Sequence, residues 1–217
     1  MSKTIVLMGA PGAGKGTQAR LLQERLHLPQ ISTGDILRAR AEAGDPLAEE
    51  IRALQASGKL APDDLVIRVV EERTAQDDCK NGYVLDGFPR TLAQAEMLER
   101  LAEQQQNKLV AIAIDVPFDV LEKRTTGRRY CPVCGEIYNM YFKQPKSDET
   151  CDRDAGVKLV LRADDSIDKV RVRLETYQKQ TQPLLDYYDE SKRLYRVDGV
   201  RGSESISQDI ERIIRES

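Results

Sequence analysis

Long apolar runs are absent from this sequence. No stretch approaches the roughly 18 to 20 consecutive apolar residues that a membrane-spanning helix needs. The first residues show neither the long apolar segment nor the cleavage pattern of a secretory signal. We therefore expect a soluble, cytoplasmic protein with no membrane partner.

Net positive charge and histidine are also scarce. The 217 residues carry 33 lysines and arginines against 36 aspartates and glutamates, a formal net charge of -3. This balance gives no electrostatic reason to expect a general nucleic-acid binder, although it is compatible with a local basic cleft.

The single histidine, His27, ends the first predicted helix, where a helix-end or surface role is favoured over catalysis. The length allows one substantial core that carries insertions.

Cysteine is sparse, but three of the four cysteines are grouped. Cys131 and Cys134 form a C-x2-C pair, Cys151 follows after sixteen intervening residues, and Cys79 stands apart. In a reducing compartment this grouping favours a metal site over disulfides. We assign no role to Cys79.

The second half of this group is Cys151-x2-Asp154, so the proposed ligand set is three sulfurs and one carboxylate oxygen. Such spacing suits a tetrahedral structural zinc site. Asp152, Asp148 or a water could replace Asp154, and three unliganded cysteines are the alternative reading. If zinc is bound, we expect four neighbouring aromatic side chains to pack around the metal loops: Tyr130, Tyr138, Tyr141 and Phe142.

Short apolar runs alternate with helical periodicity along most of the chain. This pattern predicts an α/β fold in which helices cover a parallel sheet, with ligands bound at the carboxyl ends of the strands. The predicted strands are 4–8, 28–32, 82–86, 108–115 and 193–198. A closing helix is predicted over 203–216, with Ser203 or Ser205 as its cap.

Two regions interrupt the alternation. Residues 33–61 contain two short helical stretches separated and ended by the turns 44–46 and 57–58, which predicts a helical insertion. In residues 125–162 charge, tyrosines and the grouped cysteines replace helical periodicity. A long helix capped by Asp165-Ser166 follows. The core is therefore expected to consist of 1–32, 62–124 and 163–217.

Residues 9–17 form a glycine-rich turn between the first strand and the first helix. They follow the phosphate-loop pattern G-x-x-x-x-G-K-[ST] through Lys15, but Gly16 stands where a hydroxyl residue is expected and Thr17 comes one place later. Inward-pointing backbone N–H groups and the helix dipole would together hold phosphate oxygens. A flexible turn with a solvated lysine is the less favoured alternative.

The segment 82–91 is a second strong signal. A strand-like run ends at Asp86, whose carboxylate could hold Mg²⁺ beside the phosphate loop, although Asp86-Gly87 is also a common turn. Arg90 follows Pro89 where the next helix begins, and its guanidinium could bind phosphate with two hydrogen bonds.

Taken together, these motifs resemble the adenylate kinase family in order and spacing. The resemblance extends from 9–17 through 32–38, 86–94 and 127–129 to 162–165 and 171–174, and so covers nearly the whole chain. Gly16 is the usual residue at its position in that family. The family has a three-layer fold like that of P-loop nucleoside triphosphate hydrolases, with a five-stranded parallel sheet and two mobile insertions.

The resemblance implies reversible phosphoryl transfer from Mg-ATP to AMP, which gives two ADP, by a monomer. Residues 33–61 would close over AMP and 125–162 would form a lid over ATP, in a variant whose lid holds structural Zn²⁺. The implied ATP-binding residues are Gly12, Ala13, Gly14, Lys15, Gly16, Thr17, Arg124 and Arg128. The implied AMP-binding residues are Thr33, Arg38, Arg90, Gln94, Arg162 and Arg173. The implied catalytic residues are Lys15, Asp86, Arg90, Arg128, Arg162 and Arg173, and the implied metal ligands are Cys131, Cys134, Cys151 and Asp154.

The arginines in this set do not all depend on the resemblance to the same degree. Arg90, Arg128 and Arg162 each lie beside a glycine, a proline or an insertion boundary, so they would be selected without it. The other three, Arg38, Arg124 and Arg173, depend on the resemblance alone.

Two alternative functions stay open at this point. One is a nucleoside monophosphate kinase with a different base preference. The other is a nucleotide-regulated nucleic-acid-binding protein in which the cysteine segment is a zinc ribbon. Residues 125–162 hold seven basic and five acidic side chains, a difference of +2 without a dense basic stripe, which is weak support for binding a nucleic-acid backbone.

Overall fold

The computed structural model describes residues 2–43, 48–57, 59–147, 149–162 and 164–217. The predicted turn at 44–46, Gly58 and the alternative ligand Asp148 lie outside the described residues. The strands are β1 (Lys3–Met8), β2 (Gln30–Ser32), β3 (Gly82–Asp86), β4 (Lys108–Asp115), β5 (Arg128–Tyr130), β6 (Ile137–Asn139) and β7 (Leu194–Asp198). The α-helices are α1 (Lys15–Leu26), α2 (Thr33–Glu42), α3 (Ala48–Ser57), α4 (Asp63–Thr74), α5 (Leu92–Gln104), α6 (Phe118–Thr126), α7 (Ile167–Thr176), α8 (Pro183–Glu190) and α9 (Ser203–Glu216).

Five strands form one parallel sheet in the order β2-β3-β1-β4-β7. This confirms the predicted five-stranded parallel sheet. In the register of the strands, Asp86 of β3 lies beside Leu7 of β1 on one side and Ser32 of β2 on the other. The carboxyl ends of these three strands therefore meet at one place on the sheet edge, where parallel sheets bind ligands.

Alternating side chains of the sheet enter two separate apolar layers. Val6 and Met8 of β1 pack into one layer with residues of α4, α5 and α8, whereas Ile5 and Leu7 pack into the other with residues of α1, α6 and α9. This follows from the two-residue period of a strand. Helices on both faces bury the strands, which gives the three-layer arrangement.

The segment 33–61 forms α2 and α3, as predicted. Leu37 and Ala41 of α2 and Ile51 of α3 bury against Leu65 and Val69 of α4, which gives these helices a small apolar core of their own. The packing unit therefore extends beyond residue 61 into α4.

The segment 125–162 contains a short hairpin that was not predicted. β5 and β6 pair antiparallel, with Arg129 opposite Tyr138, and Tyr130 also bridges to Val160. Three-residue strands in a charged segment carry too little alternation to be recognised from sequence.

The long helix predicted after Ser166 is not uniform. α7 ends at Thr176, residues 177–181 form a π-helical turn, and α8 starts at Pro183. Proline has no N–H to donate and its ring clashes with the carbonyl four residues earlier, so a regular α-helix could not continue through this position.

The two predicted helix caps have different outcomes. α9 begins at Ser203 as predicted, but its cap residue is Gly202 and no side chain caps it. Ser166 is the cap residue of α7 as predicted, although its side chain makes no cap hydrogen bond, and Asp165 pairs with two arginines. None of the helices in the described part of the chain is long and apolar enough to cross a membrane.

Candidate functional site

The glycine-rich loop connects β1 to α1, as predicted from the sequence. Gly12 and Gly14 have φ angles of 89° and 102°, a region that disfavours residues with a side chain. At Gly12 a Cβ atom would also lie 2.5 Å from the Thr125 hydroxyl. Gly14 precedes α1 without supplying a side-chain cap, so the first N–H groups of the helix remain available to an anion.

Lys15 is folded back onto this loop. Its Nζ donates hydrogen bonds to the carbonyl oxygens of Gly9 at 2.7 Å and Ala10 at 3.1 Å. Burial, opposed by Asp86 and reinforced by nearby arginines, lowers the pKa of Lys15 from 10.5 to about 8. The pKa of Lys15 is therefore lower in the folded than in the unfolded protein. Below pH 8 the charged amine lowers the free energy of unfolding, and this destabilisation declines as the pH rises from 8 toward 10.5.

The geometry explains why glycine stands at position 16. A Cβ atom on Gly16 would lie 3.1 Å from Oδ2 of Asp86. Asp86 in turn lies at the end of β3 and accepts a long hydrogen bond of 3.5 Å from the Gln30 amide. A serine or threonine at position 16 would therefore crowd the carboxylate that the sequence suggests for Mg²⁺.

Arg90 is held by main-chain and amide groups. Its Nε donates to the Gly87 carbonyl at 2.7 Å, and its backbone N–H donates to Oε1 of Gln94 at 2.7 Å. The Thr33 hydroxyl donates to the same Gly87 carbonyl at 3.0 Å. Burial, followed by repulsion from Arg173, lowers the pKa of Arg90.

Gln94 is buried and uses both ends of its amide. Oε1 accepts from Arg90, and Nε2 donates to Oδ1 of Asp63 at 2.6 Å. Thr91, the cap of α5, bonds the same carboxylate at 3.2 Å. Asp63 was not predicted from the sequence, since its contacts are with residues about thirty positions away.

A buried carboxylate joins Arg128 to Arg173. Asp165 accepts two hydrogen bonds from Arg128, at 2.8 Å and 2.6 Å, and one from Arg173 at 3.0 Å. Arg173 also lies 3.0 Å from the Asp164 carboxylate. Burial works against the charge on Arg128, but the bonds to Asp165 outweigh it and raise the pKa of the guanidinium.

A second carboxylate joins Arg38 and Arg162. Asp35 of α2 pairs with Arg38 and lies 3.7 Å from Arg162, which also stacks over the Tyr130 ring at 5.7 Å. This contact links the start of the 33–61 segment to the end of the 125–162 segment. Arg124 lies beside the loop, since its Cβ is 3.6 Å from where a Cβ at Gly12 would be, and its guanidinium donates to the Gly199 carbonyl at 2.9 Å.

Two cations that line one cleft have no carboxylate partner among the described residues. Within the described part of the chain, Lys15 and Arg90 form no ion pair with an acidic side chain. Both line one cleft with Arg173, Gly87 and Met8. A half-buried, positively charged cleft of this kind is suited to phosphate groups.

The four predicted metal ligands come together in the 125–162 segment. All four ligand atoms lie within 4.8 Å of one another: Cys131, Cys134, Cys151 and Asp154. The Cys134 and Cys151 sulfurs are 3.7 Å apart, and zinc with S–Zn bonds of about 2.3 Å in tetrahedral geometry requires about 3.8 Å. The Cys131 sulfur lies 3.2 Å from Oδ2 of Asp154. The geometry therefore fits zinc.

Asp152, the alternative ligand, points elsewhere, since its Oδ1 accepts from the Lys146 N–H at 2.8 Å. Tyr138 packs in this cluster as predicted, with its hydroxyl 3.6 Å from the Cys151 sulfur. The prediction is wrong for Tyr141 and Phe142, which are 63% and 58% exposed. Tyr141 covers Gly127 at the base of the segment instead.

Fold and site together define a class of protein. A glycine-rich loop on a parallel sheet, a lysine in the loop and a cleft of arginines are the features of a P-loop enzyme that transfers phosphoryl groups.

Comparison with known proteins specifies the family. The adenylate kinase family profile matches residues 7–193. The adenylate kinase of Thermodesulfovibrio yellowstonii is 48% identical over 207 residues, which is 95% of this chain and 96% of the relative. The adenylate kinase of Thermotoga neapolitana is 46% identical over 216 residues, which is 99% of this chain and 98% of the relative. That of Clostridium tetani is 44% identical over 211 residues, which is 97% of this chain and 97% of the relative.

The chain belongs to the adenylate kinase family. Its activity is that of a nucleoside monophosphate kinase, the reversible transfer of a phosphoryl group from ATP to AMP that gives two ADP, as the sequence analysis predicted. Enzymes of this family use Mg²⁺ with ATP.

ATP binding at pH 8.5 is expected to take up protons through Lys15. With a pKa of about 8, roughly a quarter of the free Lys15 side chains are charged at that pH. The triphosphate favours the charged amine and raises its pKa, so binding draws protons from the buffer. Isothermal titration calorimetry in two buffers of different ionisation enthalpy measures the uptake.

Two variants complete this test. Lys15→Met should lose the uptake, whereas Lys80→Met should keep it, because the Lys80 side chain is 74% exposed and remote from the loop in sequence. Equal uptake by Lys15→Met and the unchanged protein would contradict the assignment.

Proposed function

We propose that residues 9–17 hold the phosphates of ATP and that AMP binds opposite them, against Arg90. The observation that carries the proposal is the cleft in which Lys15 and Arg90 lie without carboxylate partners. On the ATP side we assign binding to Gly12, Ala13, Gly14, Lys15, Gly16, Thr17, Arg124 and Arg128. On the AMP side we assign it to Thr33, Arg38, Arg90, Gln94, Arg162 and Arg173.

In this proposal catalysis depends on position and charge. The acceptor is already an anionic phosphate oxygen, so no general base is needed. Lys15 and Arg90 oppose the charge that spreads over the transferring oxygens, and main-chain and amide groups already hold Arg90 in place for this role. Arg128 and Arg173 act from fixed positions on Asp165.

Asp86 is the residue that we assign to Mg²⁺. It offers carboxylate oxygens beside the loop, and the absence of a side chain at Gly16 leaves that carboxylate accessible. When bound, the ion would neutralise phosphate charge and orient the triphosphate.

Residues 33–61 and 125–162 are proposed to close over AMP and ATP respectively, around a core of 1–32, 62–124 and 163–217. Two contacts support this division. Asp35 and Arg162 join the two segments directly, at 3.7 Å. Arg20 of α1 contacts the lid through the Gly135 carbonyl at 3.3 Å and the Glu136 carboxylate at 3.5 Å. Both contacts involve exposed or half-buried charged groups, so separating them requires little free energy.

The cluster of Cys131, Cys134, Cys151 and Asp154 is proposed to bind Zn²⁺ as a structural ion. Four protein ligands leave no open position for a reactant. The lid has little apolar material of its own, with Cys131, Tyr138, Cys151 and Leu159 as its buried cluster, so the metal would supply much of its stability.

The proposal also extends to assembly and location. We propose a monomeric, cytoplasmic enzyme that binds neither nucleic acid nor membranes. The net charge of -3 supports the first of these exclusions. A preference for AMP over other monophosphates is part of the proposal.

A coupled assay of ADP formation tests the assigned roles. We expect AMP to be the preferred acceptor over CMP, UMP and GMP. Arg90→Ala and Lys15→Met should each lower turnover by at least about 100-fold without unfolding the protein, because both remove charge that opposes the transferring phosphoryl group.

The matched control is Arg100→Ala, on the exposed face of α5, which should keep full activity. Comparable rates with all four acceptors would overturn the base preference. Normal turnover in Arg90→Ala or Lys15→Met would overturn that residue's role.

Protein purified without chelator is expected to contain one zinc ion per chain by elemental analysis. Cys134→Ser should lose the ion and lower the midpoint of thermal unfolding, since it removes one of four ligands, while circular dichroism shows a folded core. The control Cys79→Ser changes a buried cysteine outside the cluster and should retain the metal. Absence of both zinc and iron from the unchanged protein would refute the metal site.

A further inference from the structure

The helix that follows the lid changes its hydrogen-bonding pattern beside the cleft. Between α7 and α8 the N–H of Gln182 donates to the carbonyl of Tyr177 at 2.8 Å, an i to i+5 bond. Turns of this π type are rare and occur frequently at functional sites. Tyr177 and Thr181, the two ends of this turn, both line the cleft that holds Lys15 and Arg90.

The wider turn aligns two side chains that a regular helix would separate. Arg173 and Thr181 are eight residues apart, and eight steps of an α-helix, about 100° each, would leave them about 80° apart around the axis. The extra residue in the π turn reduces this angle. Both residues consequently face the same cleft.

The hydrogen bond of Thr181 differs from those of three other helical threonines. Thr125, Thr126 and Thr176 each donate to the carbonyl four residues earlier in their own helix, the usual local bond. Thr181 donates instead to the carbonyl of Arg90, ninety-one residues away, at 2.9 Å. It is only 9% exposed, so water competes little for this bond.

The bond from Thr181 completes the restraint of the Arg90 main chain. The Arg90 N–H is already bonded to Gln94, and its Nε is bonded to Gly87. With the carbonyl held by Thr181, both backbone groups of Arg90 are fixed, and only the terminal nitrogens of the guanidinium remain for a phosphate.

We propose that Thr181 is a positioning residue for phosphoryl transfer, which acts by fixing the Arg90 main chain from the π turn. The inference rests on the proposed function, in that it takes Arg90 as a phosphate-binding group. A guanidinium displaced by a fraction of an ångström loses alignment with the phosphate, which affects turnover more than folding.

Steady-state kinetics of three variants test this role. Thr181→Val replaces the hydroxyl with a methyl group of similar size and should lower kcat/KM for AMP roughly ten-fold. Thr181→Ser keeps the hydroxyl and should restore most of the loss. Thr74→Val removes another buried hydroxyl, one that bonds Glu71 and Gln105, and should leave kinetics unchanged.

A double-mutant cycle separates positioning from a general structural effect. If Thr181 acts through Arg90, then Thr181→Val in the Arg90→Ala background should cause no further loss, whereas a structural role would give the same factor in both backgrounds. If Thr181→Val does not fold, Thr181→Ala carries the same test.

The outcomes distinguish the role of Thr181 from the role of Arg90. Reduced activity in Arg90→Ala together with unchanged kinetics in Thr181→Val, or equal losses in both backgrounds, would overturn the role of Thr181 and leave that of Arg90 intact. Normal activity in Arg90→Ala would overturn the proposed role of Arg90 and the inference with it.

Discussion

Repulsion among closely spaced, half-buried positive charges is the constraint on which the site depends. Lys15 and Arg90 lie near Arg128 and Arg173, and this proximity, after burial, lowers the pKa of Lys15 to about 8. The protein tolerates the arrangement because each cation is hydrogen-bonded to neutral carbonyls or to a carboxylate. In the proposed site, bound phosphate groups would relieve this repulsion, and part of the free energy of binding would thereby act on the reacting groups.

The fold maintains this arrangement through long-range contacts. The register of β1, β2 and β3 brings the loop, Asp86 and Thr33 to one sheet edge. Asp165 then pairs with one arginine from β5 and one from α7, and Asp35 pairs with two others, Arg38 and Arg162. In the proposed closure of residues 125–162, these charges would move already oriented relative to the loop at residues 9–17.

The sequence predicted the parts of this site that depend on local pattern. Alternation of strands and helices predicted the parallel sheet, and the spacing of Cys131, Cys134 and Cys151 predicted a cluster that the fold brings together. Residues that act through distant partners were not predicted. Asp165 was taken for a helix cap because the two arginines that it pairs with lie elsewhere in the sequence. The π turn was not predicted, because the apolar spacing across it still fits one helix face.

The most direct test of the account is thermal unfolding with inorganic tripolyphosphate, compared with sodium chloride at equal ionic strength. If the cleft is held in repulsion that phosphate relieves, tripolyphosphate at about 100 times its Kd should raise Tm by roughly 5 °C more than chloride does. Lys15→Met, which removes one of the crowded charges, should show a smaller gain. Equal Tm values in tripolyphosphate and chloride would contradict the account.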